Sequence, residues 1–312
     1  MSTAPPVDVP ATRRALDSRQ IALMRAAGVA SVAVASVLIA FKTWAWLATD
    51  SVSLLGSLAD SLLDLFASLI TFFAVRVAVE PPDREHRFGH GKSEAIAGLL
   101  QSMIVFASAL YVAAQAVQRL LAPTQVDAPR LGIAVIGASL LLTAALLSFQ
   151  RYVVVRTGSL AIGADAVHYK ADLLTNLAVI AAIALNYYAA WYLADPLLGL
   201  LIVALILHSV RGMAIQAIDV LLDRELPNEV RRDIKEIALS HVAVLGVHDM
   251  RSRSSGTAQF IQLHLELEPQ MTLARAHEIC DDVETLIQES FPRAEVMIHA
   301  DPHGLPESRD SF

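Results

Sequence analysis

From residue 26 to about 215 the chain consists of long apolar runs separated by short polar breaks, whereas from 223 onward charged and apolar residues alternate at short intervals. The first pattern predicts membrane helices, because a helix needs about 20 mostly apolar residues to cross a hydrocarbon core about 30 Å thick. Six stretches qualify, at about 26–48, 52–79, 95–121, 129–153, 160–190 and 194–215. The breaks carry turn chemistry: Asp50, Pro81-Pro82 with a charged loop, Pro123 to Pro129, and Asp195-Pro196. An even number of spans places both termini on one side. Arg13, Arg14 and Arg19 precede the first span, Arg84, Arg87 and Lys92 follow the second, and Arg151 and Arg156 follow the fourth, against Arg119 and Arg130 on the opposite side. That bias predicts a cytosolic N-terminus, second loop, fourth loop and tail.

The tail reads as helix, strand, strand, helix, strand. Pro227 with Asn228 and Glu229 opens a helix through Ser240. Leu245–Arg253 and Ala258–Leu267 flank Ser254-Ser255-Gly256, a hairpin signal. Leu273–Ser290 is apolar at helical spacing, and Ala294–His299 closes as a strand. The predicted fold class is therefore an α-helical membrane protein of six transmembrane helices with a C-terminal cytosolic α+β domain of order αββαβ, ferredoxin-like or metallochaperone-like. The domain boundaries expected are a cytosolic leader over 1–22, a six-helix membrane domain over 23–218 and a cytosolic tail domain over 219–312.

Composition narrows the chemistry. At 55% hydrophobic and 18% charged, a 312-residue chain is too apolar for an ordinary soluble protein. A net charge of −7 argues against nucleic acid as a partner and suits cations. A single cysteine, Cys280, excludes a disulfide framework and a thiolate zinc cluster, so metal ligands would be His and carboxylate. The first 20 residues have no apolar core or small-residue cleavage site and read as a loose leader.

Charge appears where it is costly. The second span holds Asp60 and Asp64, and the fifth holds His168 and Asp172, each pair spaced i,i+4 and hence on one helix face. A charged residue at mid-bilayer costs about 2.5–3.5 kcal/mol or more, so ionisable groups there are functional by default. Three carboxylates and an imidazole make a four-ligand cage for tetrahedral Zn²⁺ or another borderline divalent cation. The rival reading is a structural hydrogen-bond network, with Lys42 or Lys170 pairing one of the aspartates or snorkelling to an interface. A second constellation lies in the loop from Pro81 to Lys92, where Asp83, His86 and His90 are close enough to wrap one metal, against a plain solvated loop. In the tail, His248, His264, His277 and His299 with Asp301 offer a binuclear site bridged by Asp301, against a set of surface histidines to which His208 and His241 are assigned.

Seven segments resemble the cation diffusion facilitator family, in its bacterial zinc and ferrous-iron efflux branch: LADSLLDLFAS, DREHRFGHGK, SFQRYVVVRTGSLAIGADAVHYKAD, LLDRELP, HDMRSRSSG, FIQLHLELE and IHADPH. The resemblance covers nearly all of the chain after the leader. It implies a homodimer in the inner membrane, a transport site at Asp60, Asp64, His168 and Asp172, and a loop site at Asp83, His86 and His90. It further implies a cytosolic binuclear site at His248, His264, His277, His299 and Asp301 that stabilises the paired tails. Lys92 and Asp223 match the family's interdomain charge pair. Two departures stand out: Val167 replaces a bulkier apolar residue, and His303 stands where close relatives can have Cys.

The expected function is efflux of a divalent cation, Zn²⁺ first with Fe²⁺ or Cd²⁺ as alternatives, by alternating access with protons as counter-ion. Metal needs a neutral imidazole and ionised carboxylates, so it competes with protons for the same groups, and an imidazole titrates near pH 6.5. An intramembrane metalloprotease is the enzyme rival, but no His-Glu-x-x-His motif occurs. A membrane-bound metal sensor leaves the intramembrane carboxylates unexplained, and an organic-cation exporter leaves the histidine-rich tail unexplained.

Overall fold

The structure, a computed structural model, describes residues 16–49, 52–121, 130–189, 191 and 193–304. Six long helices come first: α1 (Ser18–Thr49), α2 (Val52–Ala78), α3 (Ser93–Leu121), α4 (Arg130–Thr157), α5 (Leu160–Ala189) and α6 (Ala194–Leu221). Each is long and apolar enough to cross a membrane. The ends differ from the expected spans: α1 begins at Ser18 instead of about 26, α4 runs on to Thr157 and α6 to Leu221. Apolarity marks only the hydrocarbon-crossing part, while backbone hydrogen bonding carries the helix on into water wherever no Pro or Gly interrupts it. Gly158 ends α4 in the left-handed region at φ 72°, its N–H donating to the Val154 carbonyl at 2.8 Å. Pro123 to Pro129 and Asp50 lie outside the described residues.

The helices pack through small residues. Ala27, Ala35, Ala67, Ala95, Ala116 and Ala161 are buried, and Leu47, Leu121, Leu141 and Val155 are exposed. That is the arrangement expected where lipid offers no hydrophobic reason to hide large side chains and close backbone approach supplies the packing. α1 lies along α2 and α3 along α6, while α5 touches every one of the other five helices. The two ends of α3 are tied as well. At its start, the buried Glu94 accepts from Ser159 Oγ at 2.9 Å and from the Leu160 N–H at 2.7 Å, so a carboxylate of α3 caps the N-terminus of α5. At its other end, Arg119 donates to Asp195 at the start of α6 at 2.5 Å.

The second compact unit is the tail, from Leu222 onward. Its elements follow the expected αββαβ order: α7 (Asn228–Leu239), β1 (Gly246–Ser255), β2 (Ala258–Leu267), α8 (Leu273–Ser290) and β3 (Ala294–Pro302). The sheet order is β1-β2-β3, with β1 and β2 antiparallel and β2 and β3 parallel. Strict alternation along β2 sends Ile261, Leu263, Leu265 and Leu267 into a core shared with Ile234 of α7 and Ile279, Val283 and Ile287 of α8. Gln262, His264 and Glu266 therefore stand on the opposite face. A bulge between His248 and Arg251, with Asp249 at φ 44°, shifts the β1 register.

Candidate metal centres

Three groups of ligating side chains form in the described residues, one in the helical unit, one in its loop and one in the tail: Asp64, His168 and Asp172; Asp83, His86 and His90; His248, His264 and Asp301. In each, the ligand atoms lie within 4.8 Å of one another.

The first sits where α2 meets α5. His168 Nε2 is 2.9 Å from Asp64 Oδ1 and 3.6 Å from Asp172 Oδ2. The i,i+4 spacing aligns His168 with Asp172 on α5, and the packing of α2 on α5 brings Asp64 to them. His168 is buried, and Asp172 Oδ2 is a buried acceptor with no hydrogen-bond partner. Asp60, one turn before Asp64 and more exposed, is outside this group of three, although its charge interacts with those of Asp64 and His168. Lys42 of α1 donates to Ser61 Oγ, between the two aspartates along α2, at 2.7 Å and to the Ser57 carbonyl, just before them, at 3.1 Å. It thus sits against the cage, its charge acting on Asp64, Asp60 and Asp172.

Behind the cage is a buried polar network that sequence reasoning missed. Gln150 Nε2 donates to Asp165 Oδ2 at 2.7 Å and to Ser31 Oγ at 3.0 Å. The Tyr169 hydroxyl pairs with Ser68 Oγ at 2.8 Å and donates to the Ser31 carbonyl at 3.3 Å, while its ring packs edge-on to His168. α1, α2, α4 and α5 are thereby locked around the histidine. Asp165, an aspartate three residues before His168 in an apolar span, was the available signal; Ser31 and Gln150 gave none.

The loop group is built by local turns. Asp83 Oδ1 accepts from the backbone N–H of Glu85 at 2.8 Å and of His86 at 2.5 Å, an Asx turn. Gly89, at φ 81°, then turns the chain back so that His90 Nε2 reaches Asp83 Oδ2 at 3.3 Å, with His86 Nδ1 3.3 Å from Asp83 Oδ1. The backbone N–H of His86 in particular holds the Asp83 carboxyl below the usual carboxylate range. It is an ionised oxygen donor beside two imidazoles, a donor set that suits Zn²⁺ or a similar cation.

In the tail, the strand register places His248 opposite His264 and His264 opposite His299, a row of imidazoles across all three strands. Asp301 lies one step along. Its Oδ2 is 2.7 Å from His264 Nδ1 and 3.6 Å from His248 Nε2, and its Oδ1 is 3.0 Å from His299 Nε2. Each carboxylate oxygen thus faces a different imidazole set, as a bridging ligand would. His277 is not brought to this cluster: it stands on α8, 74% exposed, 3.7 Å from Asp281. Lys92 donates to the Leu221 carbonyl at 3.4 Å, and Asp223 accepts from Arg253 at 3.0 Å.

Residues 28–222 match the cation efflux transmembrane domain, and residues 226–303 match the cation efflux protein cytoplasmic domain. The cation-efflux pump FieF of Yersinia enterocolitica is 44% identical over 295 residues, spanning 94% of this chain and 98% of that one. FieF of Escherichia fergusonii is 44% identical over 280 residues, 90% and 93% of the two chains. Among solved structures, a MamM C-terminal domain in its cadmium form covers 24% of this chain and 96% of its own, at 27% identity and a TM-score of 0.24.

Proposed function

This chain belongs to the cation efflux, or cation diffusion facilitator, family, and on that footing we propose that it exports a divalent metal cation across the inner membrane in exchange for protons. It is a multi-pass membrane transporter and not an enzyme, as its relatives are cation-efflux pumps. Zn²⁺ is the proposed cargo, with Fe²⁺ and Cd²⁺ as the alternatives that the same donors accept. The observation that carries the reading is the meeting of Asp64, His168 and Asp172 between two membrane helices, with Asp60 one turn away as the fourth ligand.

The coupling follows from the donor chemistry. Ionised carboxylates and a neutral imidazole bind the cation, and protons arriving at the same atoms displace it. A cage opened to the cytosol loads metal, and one opened to a more acidic outside exchanges metal for protons. Export of a divalent cation against an interior-negative potential costs about 2.3 kcal/mol per charge per 100 mV, which protons moving inward offset. Sealed vesicles carrying an internal pH dye test this: metal uptake should move protons the opposite way, and metal flux with no linked proton flux would rule antiport out.

The tail is proposed to face the cytosol, with the N-terminus, and to join two copies of the chain into a homodimer. Within it, His248, His264, His299 and Asp301 would hold two regulatory cations bridged by Asp301, whose positive charges would fix the three strands. His277, remote from the others in its own chain, would enter only from the partner. Lys92 and Asp223 are proposed as the charge link through which the tail biases the membrane unit. Substituting both His248 and His264 by Ala should abolish the dependence of transport rate on cytosolic metal. An unchanged dependence would leave the tail a structural role alone.

A further inference from the structure

Where α1 begins and α2 ends, the two helices flank a cavity of about 340 Å³, within the range of about 300–1,000 Å³ that holds a small ligand. Its lining is graded along the helices. Gly28 and Val29 of α1 and Phe72 and Val75 of α2 form the deep, apolar part. Arg25, one turn nearer the start of α1, and Arg76, in the last turn of α2, stand above them, and Glu80 lies just past the α2 end. At the base the backbones nearly touch: a Cβ on Gly28 would come within 3.3 Å of Phe72 Cα, so the glycine keeps α1 against α2. Arg25 and Arg76 are exposed. Among the described residues, neither guanidinium forms an ion pair or a side-chain hydrogen bond, and nor does the Glu80 carboxylate.

We propose that this cavity binds an anionic glycerophospholipid of the surrounding leaflet, with the phosphate between Arg25 and Arg76, head-group hydroxyls toward Glu80 and an acyl chain against Val29 and Phe72. The gradation matches such a lipid from outside in: hydroxyl donors outermost, phosphate next, hydrocarbon deepest. Guanidinium forks pair with phosphate oxygens two at a time and stay charged at physiological pH, and basic pockets between membrane helices on the cytosolic side bind anionic head groups. Two guanidiniums against one carboxylate leave one net positive charge in the cavity. A phosphatidylglycerol head group neutralises that charge, and a zwitterionic one does not. Val29 is 54% exposed, open to a chain arriving from the lipid side. The leaflet is the cytosolic one in the orientation proposed above, but the binding does not depend on that orientation. A lipid seated there would tie together the two helices that carry Lys42 and Asp64.

The test is native mass spectrometry of the full-length chain in a neutral detergent, titrated with phosphatidylglycerol or with phosphatidylethanolamine of the same acyl chains. Phosphatidylglycerol should bind saturably and more tightly than phosphatidylethanolamine. Arg25→Gln or Arg76→Gln should weaken it about fivefold each, the equivalent of about 1 kcal/mol per basic group at a membrane surface. Val29→Trp, which fills the apolar end without changing charge, should weaken it too, whereas Arg151→Gln, which removes an exposed guanidinium of α4 outside the cavity, should not. All four side chains are exposed, so these variants leave the packing between helices in place. Equal affinity for the two lipids, an equal loss on Arg151→Gln, or full binding retained by Val29→Trp would each overturn the site. Displacement of the lipid by inorganic phosphate would overturn it as well, because the two arginines would then hold free phosphate and not a lipid.

Discussion

Lys42 places an amine beside the cluster of Asp64, His168 and Asp172. It donates to Ser61 and to the Ser57 carbonyl, and its charge acts on Asp64 and Asp60. A positive charge there would oppose a bound metal and offset the carboxylates in its absence. Lys42→Met should therefore lower KM for metal several-fold and lower kcat with it, because release becomes harder; steady-state transport kinetics in vesicles would show KM and kcat unaltered if the lysine only anchors α1 to α2. Cys280 is a residue of the opposite kind. Burial pushes its thiol up, and the neighbouring Asp281 and Glu284 add to the effect. Since the thiolate is the reactive form, alkylation should be slow at pH 7 and rise steeply as the pH is raised, and rapid labelling at neutral pH would contradict the burial. At this scale the sequence was readable where a residue is costly in its setting. Asp64, His168 and Asp172 stood out in apolar spans, and so did Asp60, which the structure leaves one turn aside from the three. Glu94 and Gln150 did not, because their partners lie 15 to 119 residues away.

For the elements, period and length decided what could be read. β2 and α8 have the boundaries their alternation and helical spacing predicted, while the hairpin turn falls at Gly256 and Thr257, because Ser254 and Ser255 pair with Gln259 and Ala258 and extend β1 beyond the expected end at Arg253. The six membrane helices were countable because each apolar run is longer than any core helix needs, but their ends were not, because hydrogen bonding outlasts apolarity. Register was the missing quantity. That His248, His264 and His299 share one row follows from a bulge in β1 and from the parallel pairing of β2 with β3, neither of which is local. The core behind that row predicts its stability. Ile261 is fully buried among α7 and α8 side chains, so Ile261→Ala should cost about 2–5 kcal/mol and lower the tail's thermal transition. An unshifted transition would mean the site collapses without loss. Gly246→Ala probes the other face. Its new methyl would meet Glu266 Cδ at 3.0 Å and shift a carboxylate that lies 3.7 Å from the His248 imidazole, so tail metal affinity should fall while the transition holds, and a lowered transition would point to general unfolding of β1.

On the scale of the whole molecule, the division of labour follows composition: apolar helices bring Asp64, His168 and Asp172 together where water is scarce, and a small mixed sheet lines up His248, His264 and Asp301 where it is not. α5 is the common element, touching all five other membrane helices, so a movement of any of them that reaches α5 changes the distance between His168 and Asp64. That makes the α2–α5 contact the point at which alternating access would make and break the cage. The direct measurement is Zn²⁺ uptake into inside-out vesicles with an imposed proton gradient, comparing the unaltered chain with Asp64→Ala and His168→Ala. Loss of uptake in both variants, with the tail's metal binding intact, is the predicted result. Undiminished uptake in either would mean that the metal crosses by another route and that the α2–α5 cage is not the transport site.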